Sequence, residues 1–182
     1  MFYTFVPSPA NATNTCKAIT RATALNNIKP TLIHELQHMI SWNRRVIVGG
    51  GTSEETWLNE ALSHFAEELG GRLIPDSECP SPFTSCRSQY SSSDIINAYE
   101  FFEAPEDNFL VFPTSSSGTL AERGASWSFL RWVIDQFATD TLVGSDYTQG
   151  LVVGSGGAGT FAARTGTPFA TLVAEWLLAA YL

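Results

Sequence analysis

No apolar run in the 182 residues approaches the ~20 positions a membrane-spanning helix needs, so a bilayer-crossing helix is excluded. The opening Met1-Phe2-Tyr3-Thr4-Phe5-Val6 lacks the basic start and long apolar middle of a secretory signal. Its aromatics and valine predict a short strand instead. Charge is scarce as well. Only 15% of residues are charged, ten basic against eighteen acidic, and nothing in that balance suggests nucleic acid. Cysteine occurs three times and never as Cys-x-x-Cys, which argues against a cysteine-ligated zinc site. Histidine is equally rare: His34, His38 and His64 complete the set. What is plentiful is apolar. Hydrophobic residues make up 44%, enough for one globular domain with a sizeable core and too much for a disordered chain.

Two of the three histidines fall in Thr31-Leu32-Ile33-His34-Glu35-Leu36-Gln37-His38-Met39-Ile40, a His-Glu-x-x-His run inside a helical pattern. Four residues is slightly more than one turn, so His34 and His38 project from one face about 6 Å apart. Two neutral imidazoles at that separation can grip one zinc ion, with Glu35 beside them as the base for a metal-activated water. Pro30 suits a first helical turn. Leu32, Ile33, Leu36, Met39 and Ile40 recur at helical spacing and are expected to bury one face against the core.

A hydrolytic zinc site needs a third protein ligand and one open position. A second helix is expected to open at a Thr52/Glu55 capping box and to run from Trp57 through Leu69. Gly70-Gly71 would stop it. It carries Trp57-Leu58-Asn59-Glu60-Ala61 and then His64, which shares a face with Glu60. Either Glu60 or His64 could complete the ligand set. A half-buried carboxylate at Glu60 would otherwise have no partner, which favours Glu60.

The paired motifs, His34-Glu35-x-x-His38 and Trp57-Leu58-Asn59-Glu60-Ala61, resemble those of the gluzincin zinc peptidases. These include thermolysin-like, aminopeptidase N-like and hyicolysin-like enzymes. The resemblance implies zinc as cofactor and Glu60 as third ligand, with the Phe65-Ala66-Glu67 continuation adding to the match. Asn59, His64 and Glu67 then become candidates for orienting the ligands. Aminopeptidase N-like relatives carry a Tyr-Glu-Lys-Gly run whose phenol steadies the oxyanion; here the run reads Ala121-Glu122-Arg123-Gly124. The tyrosine has no counterpart. Arg123 could serve by charge, and Tyr147, Tyr99 and Tyr90 are further candidates.

Gluzincins place a sheet of several strands before the first zinc helix, yet only 33 residues precede His34. The expected fold is therefore mainly α, or α+β with a reduced N-terminal sheet: a zincin-like metallopeptidase catalytic domain. We expect a fragment of a longer parent chain with further domains, since Leu177 to Leu182 also stays apolar to the last residue. One domain would span 1–182. Its parts are a strand and loop lead-in (1–29), the zinc-site helices (30–70), a Pro/Ser-rich loop with a short helix (71–118), and a C-terminal helical subdomain (119–182).

Charge is uneven along the chain. Residues 1–50 hold five Lys/Arg and one acid, net +4, whereas residues 51–110 hold two basic and twelve acidic residues, net −10. The acidic block is either a solvated face or a cleft rim attracting basic peptides or a cation such as calcium. Cys79 and Cys86 would close a small disulfide loop in an oxidising compartment, or stay free thiols in a reducing one. Cys16 is unpaired. We lean to an extracellular or periplasmic protein.

Downstream, Asp94 to Phe102 predicts a short helix halting near Pro105. Phe109, Val111 and Phe112 form an extended apolar piece assigned to the core. Thr119 to Ala138 predicts a long helix with Phe129, Leu130, Val133, Ile134 and Phe137 on one face. Gly154-Ser155-Gly156-Gly157-Ala158-Gly159 satisfies Gly-x-Gly-x-x-Gly, but with helices around it and Ala179 where an acid would be needed it reads as a loop. Thr167 and Pro168 open a last helix with Phe169, Leu172, Val173, Trp176, Leu177 and Ala180 along one stripe.

The chemistry expected is peptide-bond hydrolysis of a peptide or protein substrate, with no membrane or nucleic-acid partner. The alternatives are a catalytically impaired zinc-binding module that recognises peptides, and a structural helical domain with a chance motif.

Overall fold

Thr20 caps the first helix, its hydroxyl accepting the Thr23 N–H at 3.0 Å. The computed structural model describes residues 20–79, 85–113, 115–140, 143–154 and 156–181. The strand expected over Met1 to Val6, and Cys16, lie outside these. Among the described residues the chain is mainly helical and has no strand, and no helix is long and apolar enough to cross a membrane.

Helix α1 spans Arg21–Trp42 and passes into a π-helical turn, Asn43–Val48. It starts well before Pro30, which sits buried inside it. Proline removes only one N–H from the ladder. The cap at Thr20 starts the helix earlier, and Thr31 donates its hydroxyl to Asn27 O at 2.8 Å in the same region. The apolar stripe also faces the other way from expectation. Leu32, Leu36, Met39 and Ile40 are 42–55% exposed, while Pro30, Gln37 and Ser41 are buried and His34 and His38 are half-buried. Of the expected stripe only Ile33 turns inward, onto Gly70.

Helix α2 spans Thr56–Arg72 and packs between α1 and α5. The expected Thr52/Glu55 capping box does not form: Glu55 is the N-cap and makes no side-chain cap. Its carboxylate accepts the Trp57 indole N–H at 2.7 Å instead. Glu54 lies 3.1 Å from Arg45 Nη1 and accepts the Gly157 N–H at 2.8 Å. Gly70 and Gly71 are interior to the helix, because Tyr90 packs where their side chains would be. They serve close packing and do not end α2.

Two short helices, α3 (Ser85–Ser88) and α4 (Ser92–Glu103), follow, and Cys79 is bonded to Cys86 of α3. Helix α5 spans Leu120–Phe137 with the capping box complete: Glu122 N–H to Thr119 Oγ1 at 3.2 Å, and Thr119 N–H to Glu122 Oε2 at 2.7 Å. It crosses α4 closely at Gly124, where any Cβ would strike the backbone of Asn97 and Ala98. Phe129, Leu130, Val133 and Ile134 are fully buried, whereas Phe137 is 38% exposed. Of the apolar piece before α5 only Phe112 enters the core; Phe109 and Val111 are exposed.

Helices α6 (Ser145–Val153), α7 (Gly157–Thr165) and α8 (Phe169–Tyr181) close the far side. Of the glycine-rich run expected as a loop, Gly154 ends α6 and Gly157 to Gly159 already belong to α7. Gly156 and Gly157 have φ of 90° and 54°, and the Arg45 and Glu55 side chains press against their open faces. From α8, Leu172 and Trp176 reach the core while Leu177 is 40% exposed. Trp57, Phe129, Phe161 and Trp176 anchor one aromatic cluster.

Candidate metal centre

The inward stripe of α1 meets α2 at His34, His38 and Glu60. His34 Nε2 lies 3.1 Å from His38 Nε2 and 3.6 Å from Glu60 Oε2, and His38 Nε2 lies 3.8 Å from Glu60 Oε1. A tetrahedral zinc with bonds of about 2.0–2.1 Å separates its ligand atoms by about 3.3–3.4 Å. The three donors therefore stand at close to the spacing a single zinc ion requires. Two imidazoles and one carboxylate also make the right donor set, and they leave a fourth position free.

The His34 ring is held in the tautomer a metal needs. Its Nδ1 lies 2.7 Å from Glu67 Oε1, and an ionised carboxylate only accepts, so the proton is on Nδ1. In the neutral ring Nε2 then carries the free lone pair. Ser63 Oγ, which donates to Glu60 O at 2.8 Å, stands 3.3 Å from that nitrogen. A second grouping, His34, His64 and Glu67, also has metal-like spacing. It includes Glu67, the residue that faces His34 Nδ1, whereas the first grouping leaves that contact in place and is the better cage.

His64 is not on the surface. Its Nδ1 lies 3.1 Å from Glu67 Oε1 and 2.9 Å from Asp94 Oδ1, and its ring meets the His34 ring edge-on with centroids 4.8 Å apart. Asp94 comes from the first turn of α4 and is 1% exposed. Sequence reasoning passed it over, because an acid in a first turn reads as ordinary helix-end charge. Five acids of the block in residues 51–110, Glu54, Glu60, Glu67, Glu68 and Asp94, are buried, so that block is not simply a solvated face.

Titration follows from these contacts. Burial works against charge on both His34 and His64. The carboxylates outweigh it, Glu60 and Glu67 raising His34, and Asp94 and Glu67 lifting His64 to about 9. Burial likewise opposes ionisation of Glu60 and Glu67, yet their imidazole neighbours, and Arg123 beside Glu60, hold both below the ordinary carboxylate value. For Asp94 burial prevails and its pKa is raised.

The remaining sequence candidates divide cleanly. Arg123 reaches the site, its Nη1 3.0 Å from Glu60 Oε2 while its Nε donates to Ser117 O at 2.8 Å. Glu35, one position after His34, is exposed. Asn59 is half-buried, and no hydrogen bond joins it to the ligands among the described residues. The three tyrosines are engaged elsewhere. Tyr147 is buried under Arg164, Tyr99 is exposed and donates to Glu103, and Tyr90 packs on Gly70 and Gly71. No known protein family matches the chain, and no curated protein or solved structure matches it.

Proposed function

We propose that this chain is a zinc-dependent peptidase of the zincin type, hydrolysing peptide bonds in a peptide or protein substrate. One observation carries the reading: His34, His38 and Glu60 converge at zinc-ligand spacing, one residue from the unburied carboxylate of Glu35. Zinc bound there would polarise the scissile carbonyl and bring the pKa of its water to about 7. Glu35 takes the attacking water's proton and returns it to the departing amine. Arg123, braced between Glu60 and the Ser117 carbonyl, sets a cation where charge develops on the carbonyl oxygen. Glu67 keeps His34 in its binding tautomer. The Cys79–Cys86 bridge favours an oxidising, extracellular or periplasmic setting.

The test is metal analysis of the purified chain beside cleavage of an unstructured protein. One zinc per chain is expected, with cleavage lost to a chelator and restored by zinc. Glu35→Gln should keep the zinc and lose turnover by at least about 100-fold. Wild-type cleavage by that variant would sink the mechanism, and a chain without zinc would sink the site. A second reading is a zinc-holding, catalytically impaired peptide-recognition module. It is favoured by the engagement of Tyr90, Tyr99 and Tyr147 away from the ligands. It predicts stoichiometric zinc and peptide binding with no cleavage.

A further inference from the structure

We propose that His64 and Asp94 are positioning residues for the metal centre. They pin the Glu67 carboxylate, and Glu67 in turn holds the His34 ring with Nε2 directed at the ligand set. The inference rests on the zinc reading above, and adds to it a helix, α4, that contributes no ligand.

The chain of contacts is continuous. His34 Nδ1 to Glu67 Oε1 is 2.7 Å, Glu67 Oε1 to His64 Nδ1 is 3.1 Å, and His64 Nδ1 to Asp94 Oδ1 is 2.9 Å. A glutamate has three rotatable side-chain bonds, so one contact to His34 leaves its carboxylate free to swing. The second contact removes that freedom, because the same oxygen faces both imidazoles. His64 would itself be free to turn without Asp94, which is 1% exposed and fixed in the first turn of α4. The arrangement also answers the rival role for His64. Its Nδ1 faces the Glu67 and Asp94 carboxylates, which gives it a supporting place beside the ligand set.

The consequence is a metal affinity that depends on residues three and four contacts away from the ion. Loss of an outer partner typically weakens binding by 10–100-fold. His64→Leu and Asp94→Leu remove the charged partners, at similar volume for His64, and should each weaken zinc binding by about tenfold. His64→Asn restores a donor near the Nδ1 position and Asp94→Asn keeps an acceptor, so both should stay within about threefold of the parent.

Zinc affinity is read by competition with a chromophoric chelator, and ligand geometry by the visible spectrum of the cobalt(II)-loaded protein. A merely structural role would lower the melting temperature of the leucine variants while leaving affinity and spectrum unchanged, and that result overturns the inference. If a leucine variant fails to fold, its partner carries the comparison. If both fail, the asparagine pair decides: affinity and cobalt spectrum close to the parent are expected, and a fall as large as that of Glu67→Ala overturns it. A parent chain that binds no zinc overturns the zinc reading itself, which is a separate outcome.

Discussion

Replacing Tyr147 by Phe separates burial from chemistry at a residue the sequence offers as an oxyanion donor. The ring lies beneath the Arg164 guanidinium, 4.7 Å from its centroid, and only 4% of the residue is exposed. Its hydroxyl has no hydrogen-bond partner among the described residues. Burial pushes the phenol from 10.0 up to about 12, against a smaller pull from Arg164. Between those values the unfolded chain has lost the proton and the folded chain keeps it. The folded state binds more protons, so stability falls as pH rises, by about 1.4 kcal/mol per unit and roughly 2.7 kcal/mol across the window.

Tyr147→Phe keeps the ring and its cation contact and deletes only the hydroxyl. At neutral pH it should be neutral or more stable by up to about 1 kcal/mol, because an unpaired buried hydroxyl is unfavourable. About one unit above the ordinary phenol value its advantage over the parent should grow by about 1.4 kcal/mol. Urea unfolding at a series of alkaline pH values measures this directly. Parallel decline of the two proteins would refute the burial argument. Peptide cleavage should be unchanged by the substitution. Lost turnover with zinc retained would show instead that the phenol reaches the substrate.

Three further substitutions test the fold around the site. Glu54→Ala leaves the largely buried Arg45 guanidinium with only the Gly154 and Thr52 carbonyls and takes the acceptor from the Gly157 N–H, and should cost about 3–5 kcal/mol in urea unfolding; a loss below about 1 kcal/mol would mean the clasp is solvated. Gly124→Ala forces a methyl into the α4 backbone and should cost about 1–3 kcal/mol or more, whereas wild-type stability would show that the helices are not in contact there. Leu36→Ser, on the half-exposed outward face of α1, should cost about 1 kcal/mol; a loss near 3 kcal/mol would show that this face is covered in solution.

Local signals were enough for α5. The helix expected from Thr119 to Ala138 forms over Leu120–Phe137, and the apolar positions from Phe129 to Ile134 make its buried face. The convergence of His34, His38 and Glu60 is legible too, because His34 and His38 share a helical face by spacing alone, while the resemblance of the second motif points to Glu60. What escaped depends on partners distant in sequence. Glu54 is buried because Arg45 and the Gly157 N–H claim its carboxylate, and Gly157 lies 103 residues away. Gly70-Gly71 looks like a helix stop until Tyr90 is seen packed against it. Asp94 is unremarked in the sequence, since only the docking of α4 brings it to His64.

The orientation of α1 is the largest departure, and magnitudes explain its direction. Leu32, Leu36, Met39 and Ile40 are each about half exposed. Burying such side chains fully is worth about 1.5–3 kcal/mol apiece, so the outward face forgoes roughly 3–6 kcal/mol in all. Turning α1 over would recover that area but would take His34 and His38 away from α2. Glu60 and Glu67, both buried, would lose the imidazoles that α1 supplies and face apolar side chains there. Stranding a buried charge by removing its partner costs about 3–5 kcal/mol. Two such carboxylates, with only Arg123 left on Glu60 and His64 on Glu67, match or exceed the apolar gain. An amphipathic pattern places a helix by area when its polar face has no buried partners. Here the polar face has them, and the residues that could hold a metal are the same ones that decide which way the helix turns.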